Sequence, residues 1–388
     1  MKYFLKTSNK PLKITIATDS FKGSLSSHQA CRIIGMAFED RLGDSNVTIN
    51  QVPLSDGGEG LIEIVKGYID NEIFTASVSN ALGKEVDVDY LVYQDKETKT
   101  AVLEMASVVG LSLLKDYEKN PMNTTTFGFG ELILDALDRG VSNFIIGIGG
   151  TSTNDAGFGM LSALGVLFFD FYGNQLTGNT PLSMLDLSKI DISNLDERAA
   201  NANFVIACDV NNTFCGEFGA SKVFAPQKGA DNNCVEALDE ILKKFALIIK
   251  KDLGKDIINE PRSGAAGGAG GSFLAFFDAR LESGIEAVMN ITGFSKEILD
   301  SDLVITGEGR TDKQTLDGKA VLGVIKMAKH YKKKVIVISG SLGDGYEHLL
   351  ALGADKVVGA DSFGDTGHNF EKAEEVLYSA AYSISGSL

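Results

Sequence analysis

The sequence has no tryptophan, four histidines and four cysteines among 388 residues. His28, His330, His348 and His368 lack the spacing of a metal site, so neither a zinc centre nor a catalytic histidine is expected. The cysteines lack CxxC spacing, which indicates free thiols in a reducing compartment. No apolar stretch reaches the roughly 20 residues that a membrane span needs, and residues 1–10 do not read as a signal peptide. A cytoplasmic protein is therefore expected.

Positive charge is also scarce. The chain carries 36 Lys and Arg against 52 Asp and Glu, which gives a formal net charge of −16. Nucleic acids and anionic membrane surfaces are recognised through clustered Lys and Arg, so neither is an expected partner. An anionic small-molecule substrate must therefore meet local cations.

Glycine, by contrast, is abundant, with 43 of the 388 residues, above the usual share of about 7%. The excess is concentrated in four segments: Asp56–Gly60, Gly147–Asp155, Ser263–Gly271 and Gly307–Asp312. One such loop would mean little, because glycine serves any turn that needs positive φ. Several, placed where strands are expected to end, suggest backbone NH groups gathered around phosphates.

The length fits two domains, and the two ends of the chain share one pattern. Strands are predicted at Lys13–Thr18 and Val47–Val52, each followed by a helix, and the same alternation returns from Leu303 to the C-terminus. Between them, strands near residues 73–105 are joined by turns, which indicates mixed or antiparallel sheet. The sequence therefore predicts a parallel-sheet α/β domain built from both termini, with a second mixed α/β domain inserted.

Two motifs follow the first two predicted strands. Asp19–Ser24 brings a carboxylate, hydroxyls and Lys22 to the edge where open α/β sheets present ligand loops, which suits phosphate or Mg²⁺. Helix capping by its serines is the alternative. Asp56–Gly60 combines glycines that permit close backbone approach with carboxylates for a metal or a hydroxyl group, and a plain turn is the alternative.

Gly147–Asp155 is the most phosphate-like segment, because it follows a predicted buried strand, precedes a helix and is rich in hydroxyl and amide groups. It matches a dinucleotide-binding fingerprint only in part, since Ser152 stands where the third glycine belongs. No Gly-x-x-x-x-Gly-Lys-Ser/Thr sequence occurs, which argues against a Walker-type NTPase.

Three later segments carry the remaining candidates. Asp209–Asn212 follows a predicted strand and offers oxygen ligands, which suit Mg²⁺, or forms an Asx turn. Pro226–Gly229 brings in a lysine or begins a helix. Gly307–Asp312, with Lys319 nearby, places an arginine where it can bind a carboxylate or phosphate, or is a solvated loop. Together these groups are the ones that phosphoryl transfer requires.

The motifs together resemble the bacterial-type glycerate kinases, in order from about residue 13 to the C-terminus. The matching strings are Ala17–Gly23, Leu54–Gly60, Gly147–Asp155, Val223–Gly229 and Gly307–Lys319. The resemblance implies an enzyme that uses ATP and Mg²⁺ to phosphorylate D-glycerate, in most members at the 2-hydroxyl, giving 2-phospho-D-glycerate and ADP. It also implies a Rossmann-like or flavodoxin-like domain, residues 1–74 plus 286–388, with an inserted α/β domain at 75–285.

Site residues are predicted on the same basis. The predicted catalytic residues are Asp19, Lys22, Asp155, Arg310 and Asp312. The predicted substrate and nucleotide contacts are Ser20, Asp56, Gly57, Gly58, Gly149, Gly150, Asn154, Gly267, Gly268 and Lys319. The predicted metal ligands are Asp209 and Glu308. Among them Lys22, Arg310 and Lys319 are assigned to the glycerate carboxylate and the ATP phosphates, and the aspartates other than Asp209 to the attacking hydroxyl.

Other functions stay open from the sequence. The chain could form 3-phosphoglycerate, phosphorylate another small hydroxy acid or polyol, or act as a non-catalytic nucleotide or metabolite sensor. A nicotinamide dehydrogenase is disfavoured by the incomplete fingerprint. The glycine-rich loops of the two predicted domains are expected to line a cleft between them. The sequence permits a homo-oligomer and does not specify one.

Overall fold

The computed structural model describes residues 10–21, 24–54, 61–67, 69–95, 97–291, 293–317, 320–364 and 370–388. The chain divides into two compact units. The first unit comprises Met1–Asp56 and Ile285–Leu388, and the second unit comprises Gly57–Gly284. This division assigns residues 57–74 to the second unit, whereas the predicted domain limits placed them in the first. Those limits, and the cleft between the domains, stay predictions.

The strands are β1 (Leu12–Thr18), β2 (Val47–Gln51), β3 (Asn71–Ser79), β4 (Glu85–Asp95), β5 (Thr98–Glu104), β6 (Asn143–Gly147), β7 (Leu167–Phe169), β8 (Lys189–Asp191), β9 (Asn203–Ala207), β10 (Arg280–Glu282), β11 (Leu303–Gly307), β12 (Arg310–Thr311), β13 (Lys334–Ser339), β14 (Ser341–Leu342) and β15 (Lys356–Gly359). The α-helices are α1 (Ser27–Leu42), α2 (Leu61–Lys66), α3 (Met105–Val109), α4 (Phe127–Asp138), α5 (Phe158–Ala163), α6 (Glu197–Asn201), α7 (Ala220–Phe224), α8 (Asn232–Leu253), α9 (Ala269–Phe277), α10 (Gly284–Ile291), α11 (Phe294–Asp300), α12 (Ala320–His330), α13 (His348–Leu352) and α14 (Phe370–Ser385). Short 3₁₀ helices cover Leu111–Leu113, Asp116–Glu118, Pro181–Asp186, Pro226–Lys228, Ala265–Gly268, Lys313–Asp317 and Ala360–Phe363.

The first unit is built on a five-stranded sheet in the order β15-β13-β11-β1-β2, and every pair in it is parallel. Counted within the unit, this is the order 2-1-3-4-5 of flavodoxin-like folds. The strands carry β-branched residues that alternate between two covered faces. Ile14, Ile16 and Ile305 belong to the core shared with α1 and α14, whereas the Thr15 hydroxyl on the other face donates to the Glu297 carbonyl of α11. The predicted flavodoxin-like parallel sheet is confirmed.

The second unit is built on a six-stranded mixed sheet in the order β10-β9-β6-β5-β4-β3. β3, β4 and β5 are antiparallel neighbours, in agreement with the mixed or antiparallel sheet predicted from the turns that join them, while β5, β6, β9 and β10 are parallel. One apolar core extends over this sheet and the helices that cover it. The mixed α/β character predicted for the inserted region is therefore confirmed.

Some elements differ from the sequence-based predictions. α4 begins at Phe127 rather than near Gly130, and α9 begins inside the segment Ser263–Gly271 that was predicted to be a loop. Glycine lowers local helix propensity, which is why no helix was predicted here. A Cβ at Gly271 would lie 2.5 Å from the Phe214 ring, so glycine is needed for close packing, and this packing stabilises the helix. The four cysteines are free thiols, as predicted. Among the described residues, no helix has the length and hydrophobicity needed to cross a membrane.

Candidate active site

The strand order of the first unit reverses between β1 and β11, and open α/β sheets bind ligands outside the carboxyl ends of the strands at such a point. Two predicted motifs begin there. Asp19 follows β1 and Glu308 follows β11, and the Asp19 NH donates to the Gly307 carbonyl at 2.9 Å. The fold thus places two acidic residues that are far apart in the chain at the ends of neighbouring strands. We call Asp19, Ser20, Glu308, Arg310 and Asp312 the switch-point cluster.

Glu308 is held by a chain of hydroxyl groups. Its side chain is almost buried, with 6% of the residue exposed, and its Oε1 accepts hydrogen bonds from Thr311 Oγ1 at 3.1 Å and Thr315 Oγ1 at 2.6 Å. Thr311 Oγ1 also lies 2.6 Å from Ser339 Oγ at the end of β13. Since Thr311 donates to Glu308, Ser339 is the donor to Thr311. These contacts fix the direction of the Glu308 carboxylate.

Arg310 is the accessible cation of the cluster. Its side chain is 69% exposed, and its Nε lies 3.3 Å from Asp312 Oδ2. An exposed ion pair of this kind contributes little to stability, so the guanidinium can exchange partners with a ligand at low cost. A Cβ at Gly343 would lie 2.8 Å from the Asp312 Cβ and 3.1 Å from the Arg310 Nε, so a larger residue there would displace the Asp312 and Arg310 side chains.

Ser20 contributes a backbone contact, since its NH donates to Asp19 Oδ1 at 2.6 Å. This bond orients the Asp19 carboxylate at the end of β1. The remaining predictions at this edge concern residues outside the described part of the chain. They are Lys22, Asp56, Gly57, Gly58 and Lys319.

In the second unit, the loop Gly147–Asp155 follows β6 and has one accessible part. Gly149 is half-buried and Gly150 is exposed, whereas residues 151–155 are buried. The Gly150 carbonyl accepts from the Leu111 NH at 2.8 Å, and the Ser152 NH donates to the Val109 carbonyl at 2.8 Å. A ligand that approaches this loop from solvent therefore meets Gly149 and Gly150, while the rest of the loop anchors them.

Asp155 is fully buried and saturated with hydrogen bonds. Its Oδ2 accepts from the NH of Thr126 at 2.8 Å, the hydroxyl of Thr126 at 2.7 Å and the NH of Gly159 at 3.2 Å. Its Oδ1 accepts from the NH of Gly157 at 3.2 Å. Burial raises the pKa of this carboxyl, and the hydrogen bonds oppose that rise. Asp155 thus ties the loop to the starts of α4 and α5. Its catalytic role stays a prediction, which this inaccessible position does not favour.

Asn154 lies beside Asp155 and is also buried. Its Nδ2 donates to the Ser221 hydroxyl at 2.9 Å, while Asn154 Oδ1 and Thr153 Oγ1 are buried without a hydrogen-bond partner. Buried polar side-chain atoms are usually paired, so these two oxygens retain the capacity for further hydrogen bonds. The predicted ligand contact of Asn154 stays a prediction.

Gly267 and Gly268 pack the segment Ser263–Gly271 closely against the loop Gly147–Asp155. Their φ angles are +64° and +95°, and a Cβ at Gly267 would lie 2.2 Å from the Thr153 carbonyl oxygen. The Gly267 carbonyl accepts from the Ala156 NH at 3.0 Å. Both glycines are buried, so their evident role is close backbone packing. Contact with a nucleotide stays a prediction for both.

Sequence reasoning did not include Lys228 in the site, although it noted the Pro226–Gly229 turn. The residue is 3% exposed, and its Nζ donates to the Thr153 carbonyl at 2.6 Å and to Thr151 Oγ1 at 3.3 Å. The turn therefore forms a 3₁₀ helix and also delivers a cation to the loop. The scarcity of cations makes a lysine between Pro226 and a glycine a candidate from the sequence, but the burial of Lys228 leaves no local signal.

Asp209 follows β9 in the second unit, where its Oδ1 accepts from the Gly284 NH at 3.0 Å. It offers the same hard oxygen donors as Glu308 in the first unit. Within the described ranges, no group of three or more His, Cys, Asp or Glu side chains is arranged to hold a metal ion. Mg²⁺ is usually held by one or two carboxylates together with water and substrate phosphates, so the donor set fits this ion without a larger cluster.

Comparison with known proteins identifies the family. The Glycerate kinase family matches residues 14–388. A "Glycerate 2-kinase" of Escherichia coli is 41% identical over 378 residues, which cover 97% of this chain and 98% of that protein. A "Glycerate kinase" of Halalkalibacterium halodurans is 43% identical over 342 residues, which cover 88% of this chain and 89% of that protein.

A solved structure shows the same likeness in three dimensions. A protein of Salmonella typhimurium LT2 that carries the provisional name glycerate kinase 2 superposes with a TM-score of 0.84 and 38% sequence identity. The match covers 97% of this chain and 98% of that chain. The family match and these relatives show that this chain is an enzyme of the glycerate kinase family, which implies ATP as phosphate donor and small-molecule substrates.

Proposed function

We propose that this enzyme transfers the γ-phosphoryl group of ATP to the 2-hydroxyl of D-glycerate, giving 2-phospho-D-glycerate and ADP. The observation that carries the proposal is the switch-point cluster, where a cation and three carboxylates gather at the ligand-binding edge of a parallel sheet. The name glycerate 2-kinase, borne by a relative that is 41% identical over 97% of this chain, supports the substrate and the position of transfer.

Within the cluster, Arg310 is assigned to the glycerate carboxylate. A guanidinium can bind a carboxylate through two parallel hydrogen bonds, and this exposed side chain gives up only a surface ion pair to do so. Asp19 and Asp312 are assigned to the attacking hydroxyl, because a carboxylate within hydrogen-bond reach can orient it and accept its proton. The hydrogen bond from the Ser20 NH holds Asp19 in place for this role.

Glu308 is assigned to Mg²⁺, and Asp209 is the corresponding candidate in the second unit. The hydroxyl groups of Thr311 and Thr315 fix one oxygen of the Glu308 carboxylate, so the group is oriented in advance of ligand binding. When bound, Mg²⁺ neutralises charge on the ATP phosphates during transfer.

Gly149 and Gly150 are assigned to an anionic group of one of the two substrates. They are the accessible backbone of a loop at the end of a parallel strand, and glycine permits close approach of the backbone to a phosphate. A cytoplasmic location belongs with this proposal, because ATP is the implied phosphate donor.

A substrate panel tests the proposal. We expect ADP release from ATP and Mg²⁺ with D-glycerate, and much slower release with L-glycerate, D-lactate or glycerol. Arg310→Ala should reduce kcat/KM for D-glycerate by at least about 100-fold, because a charged hydrogen-bond partner of the substrate is lost. Arg198→Ala is the matched control, since Arg198 also forms exposed ion pairs, with Asp138 and Asp196. Equal rates for glycerol and D-glycerate would contradict the assignment of Arg310 to a carboxylate.

A further inference from the structure

Lys228 is a buried cation, and its hydrogen-bond partners within the described part of the chain are uncharged. It ends a 3₁₀ helix that begins at Pro226, and Gly229 follows with a φ of +98°. A Cβ at Gly229 would lie 2.3 Å from the Lys119 carbonyl oxygen, so the turn is packed tightly against its neighbours. The tightly packed backbone of the turn therefore fixes the position of Lys228, in addition to the hydrogen bonds of its side chain.

Both hydrogen bonds that the Lys228 ammonium forms with described residues go to one loop. Nζ donates to the Thr153 carbonyl and to the Thr151 hydroxyl, both of which are buried. Thr151 directly follows Gly150, the exposed residue of the Gly149–Gly150 turn. Burying an ammonium group is costly, and apolar side chains fill such positions without that cost. A cation kept there points to a function for its charge.

We propose that Lys228 is a positioning residue, which holds the Gly149–Gly150 turn in the shape that binds an anionic group of a substrate. The inference rests on the proposed function of this loop. The ammonium acts in two ways. It fixes Thr151 and Thr153 behind the turn, and it supplies positive charge near the turn in a chain whose formal net charge is −16. Both effects favour an anion at the Gly149 and Gly150 backbone.

The charge of Lys228 links the proposal to pH. Burial lowers the pKa of this lysine to about 8, and the charge of Asp155 in the same loop opposes that effect. Thr151 and Thr153, which contact the ammonium, do not titrate. The wild-type enzyme should therefore lose kcat/KM as the pH rises above about 8. Lys228→Arg should keep its charge and move this alkaline limb to higher pH.

Three variants test the inference by kinetics. Lys228→Met removes the charge and keeps an unbranched apolar stem, Lys228→Arg keeps the charge, and Lys222→Met is the control. Lys222 lies on the adjacent helix α7, where it is half-buried and paired with Glu236 at 2.8 Å. We expect Lys228→Met to raise KM for either ATP or D-glycerate at least 10-fold, with the other KM within 2-fold of wild type. Lys222→Met should match wild type. A fall in kcat with both KM values unchanged would overturn the inference.

Amide hydrogen exchange gives a test that does not need turnover. The probes are ADP and D-glycerate, each added at saturating concentration to the wild-type enzyme and to Lys228→Met. One of them should protect the peptide that contains Gly149 and Gly150 in wild type, and Lys228→Met should lose that protection. If wild type protects this peptide but forms no ADP from D-glycerate and ATP, the proposed function fails and the role of Lys228 stands. Equal protection in the two proteins would overturn the role of Lys228.

If Lys228→Met does not fold, the inference can still be tested on the wild-type enzyme alone. The protection that ADP or D-glycerate gives the same peptide, measured at each pH as the ratio of exchange rates without and with the ligand, should fall at least several-fold between pH 7 and pH 9 as Lys228 loses its proton. The peptide that contains Lys222 should show no such fall. Absence of a fall in the loop would contradict the inference.

Discussion

Replacing Gly267 by alanine should destabilise the second unit by two separable effects. The φ of Gly267 is +64°, and holding an L-residue in the left-handed region costs about 1–2 kcal/mol. A Cβ there would also lie 2.2 Å from the Thr153 carbonyl oxygen and 2.6 Å from the Asn154 Cα. Relief of such overpacking costs about 1–3 kcal/mol. We therefore expect Gly267→Ala to lower the free energy of unfolding by about 2–5 kcal/mol.

Gly254→Ala is the matched control for the backbone effect. Gly254 has a φ of +73°, but a Cβ there would meet no atom within 4 Å, so we expect only the loss of about 1–2 kcal/mol. Urea unfolding followed by circular dichroism measures both losses, since the chain has no tryptophan for fluorescence. Gly267→Ala should also lower kcat/KM, because its Cβ presses on the loop that carries Gly149 and Gly150. Equal losses of stability in the two variants would refute the described packing of the two loops.

Three further predictions concern charges and their partners. Arg310→Lys should retain less than about a tenth of wild-type kcat/KM for D-glycerate, because lysine cannot form the paired hydrogen bonds of a guanidinium. Between pH 7 and pH 9 the wild type should gain about 1 kcal/mol of stability relative to Lys228→Met in urea titrations. The pKa of Lys228 falls from 10.5 to about 8 on folding, so the unfolded chain binds more protons in this range. Thr315→Val removes the hydroxyl 2.6 Å from Glu308 Oε1, so it should raise the Mg²⁺ concentration for half-maximal activity while the circular dichroism spectrum stays unchanged.

The main features of the fold follow from local sequence patterns. Runs of β-branched residues such as Lys13–Thr18 alternate with helical patterns at both ends of the chain, and the sheet of the first unit is parallel as this pattern predicts. The strands β3–β5 are antiparallel neighbours, and mixed or antiparallel sheet was predicted there because turns rather than helices join these segments. Helix α9 was missed because glycines lower local helix propensity, whereas its formation depends on distant packing of Gly271 against Phe214.

The site was predictable where a residue follows a strand directly. Asp19 and Glu308 could be placed at one edge because parallel strands end at the same edge of a sheet. The burial of Lys228 and of Asp155 could not be predicted, because it depends on segments that are far away in the chain. Lys228 contacts the Thr153 carbonyl, and Asp155 contacts Thr126. No local pattern distinguishes a buried lysine in a turn from an exposed one.

Phosphorus NMR of a reaction with D-glycerate, ATP and Mg²⁺ tests the central claim most directly. The proposed function predicts that the γ-phosphorus signal of ATP declines while signals of ADP and of 2-phospho-D-glycerate appear in equal amounts. Arg310→Ala should slow all three changes together, and Arg198→Ala should leave them at the wild-type rate. A phosphomonoester signal of 3-phosphoglycerate would contradict the proposed position of transfer, and the absence of ADP would contradict the proposed kinase reaction itself.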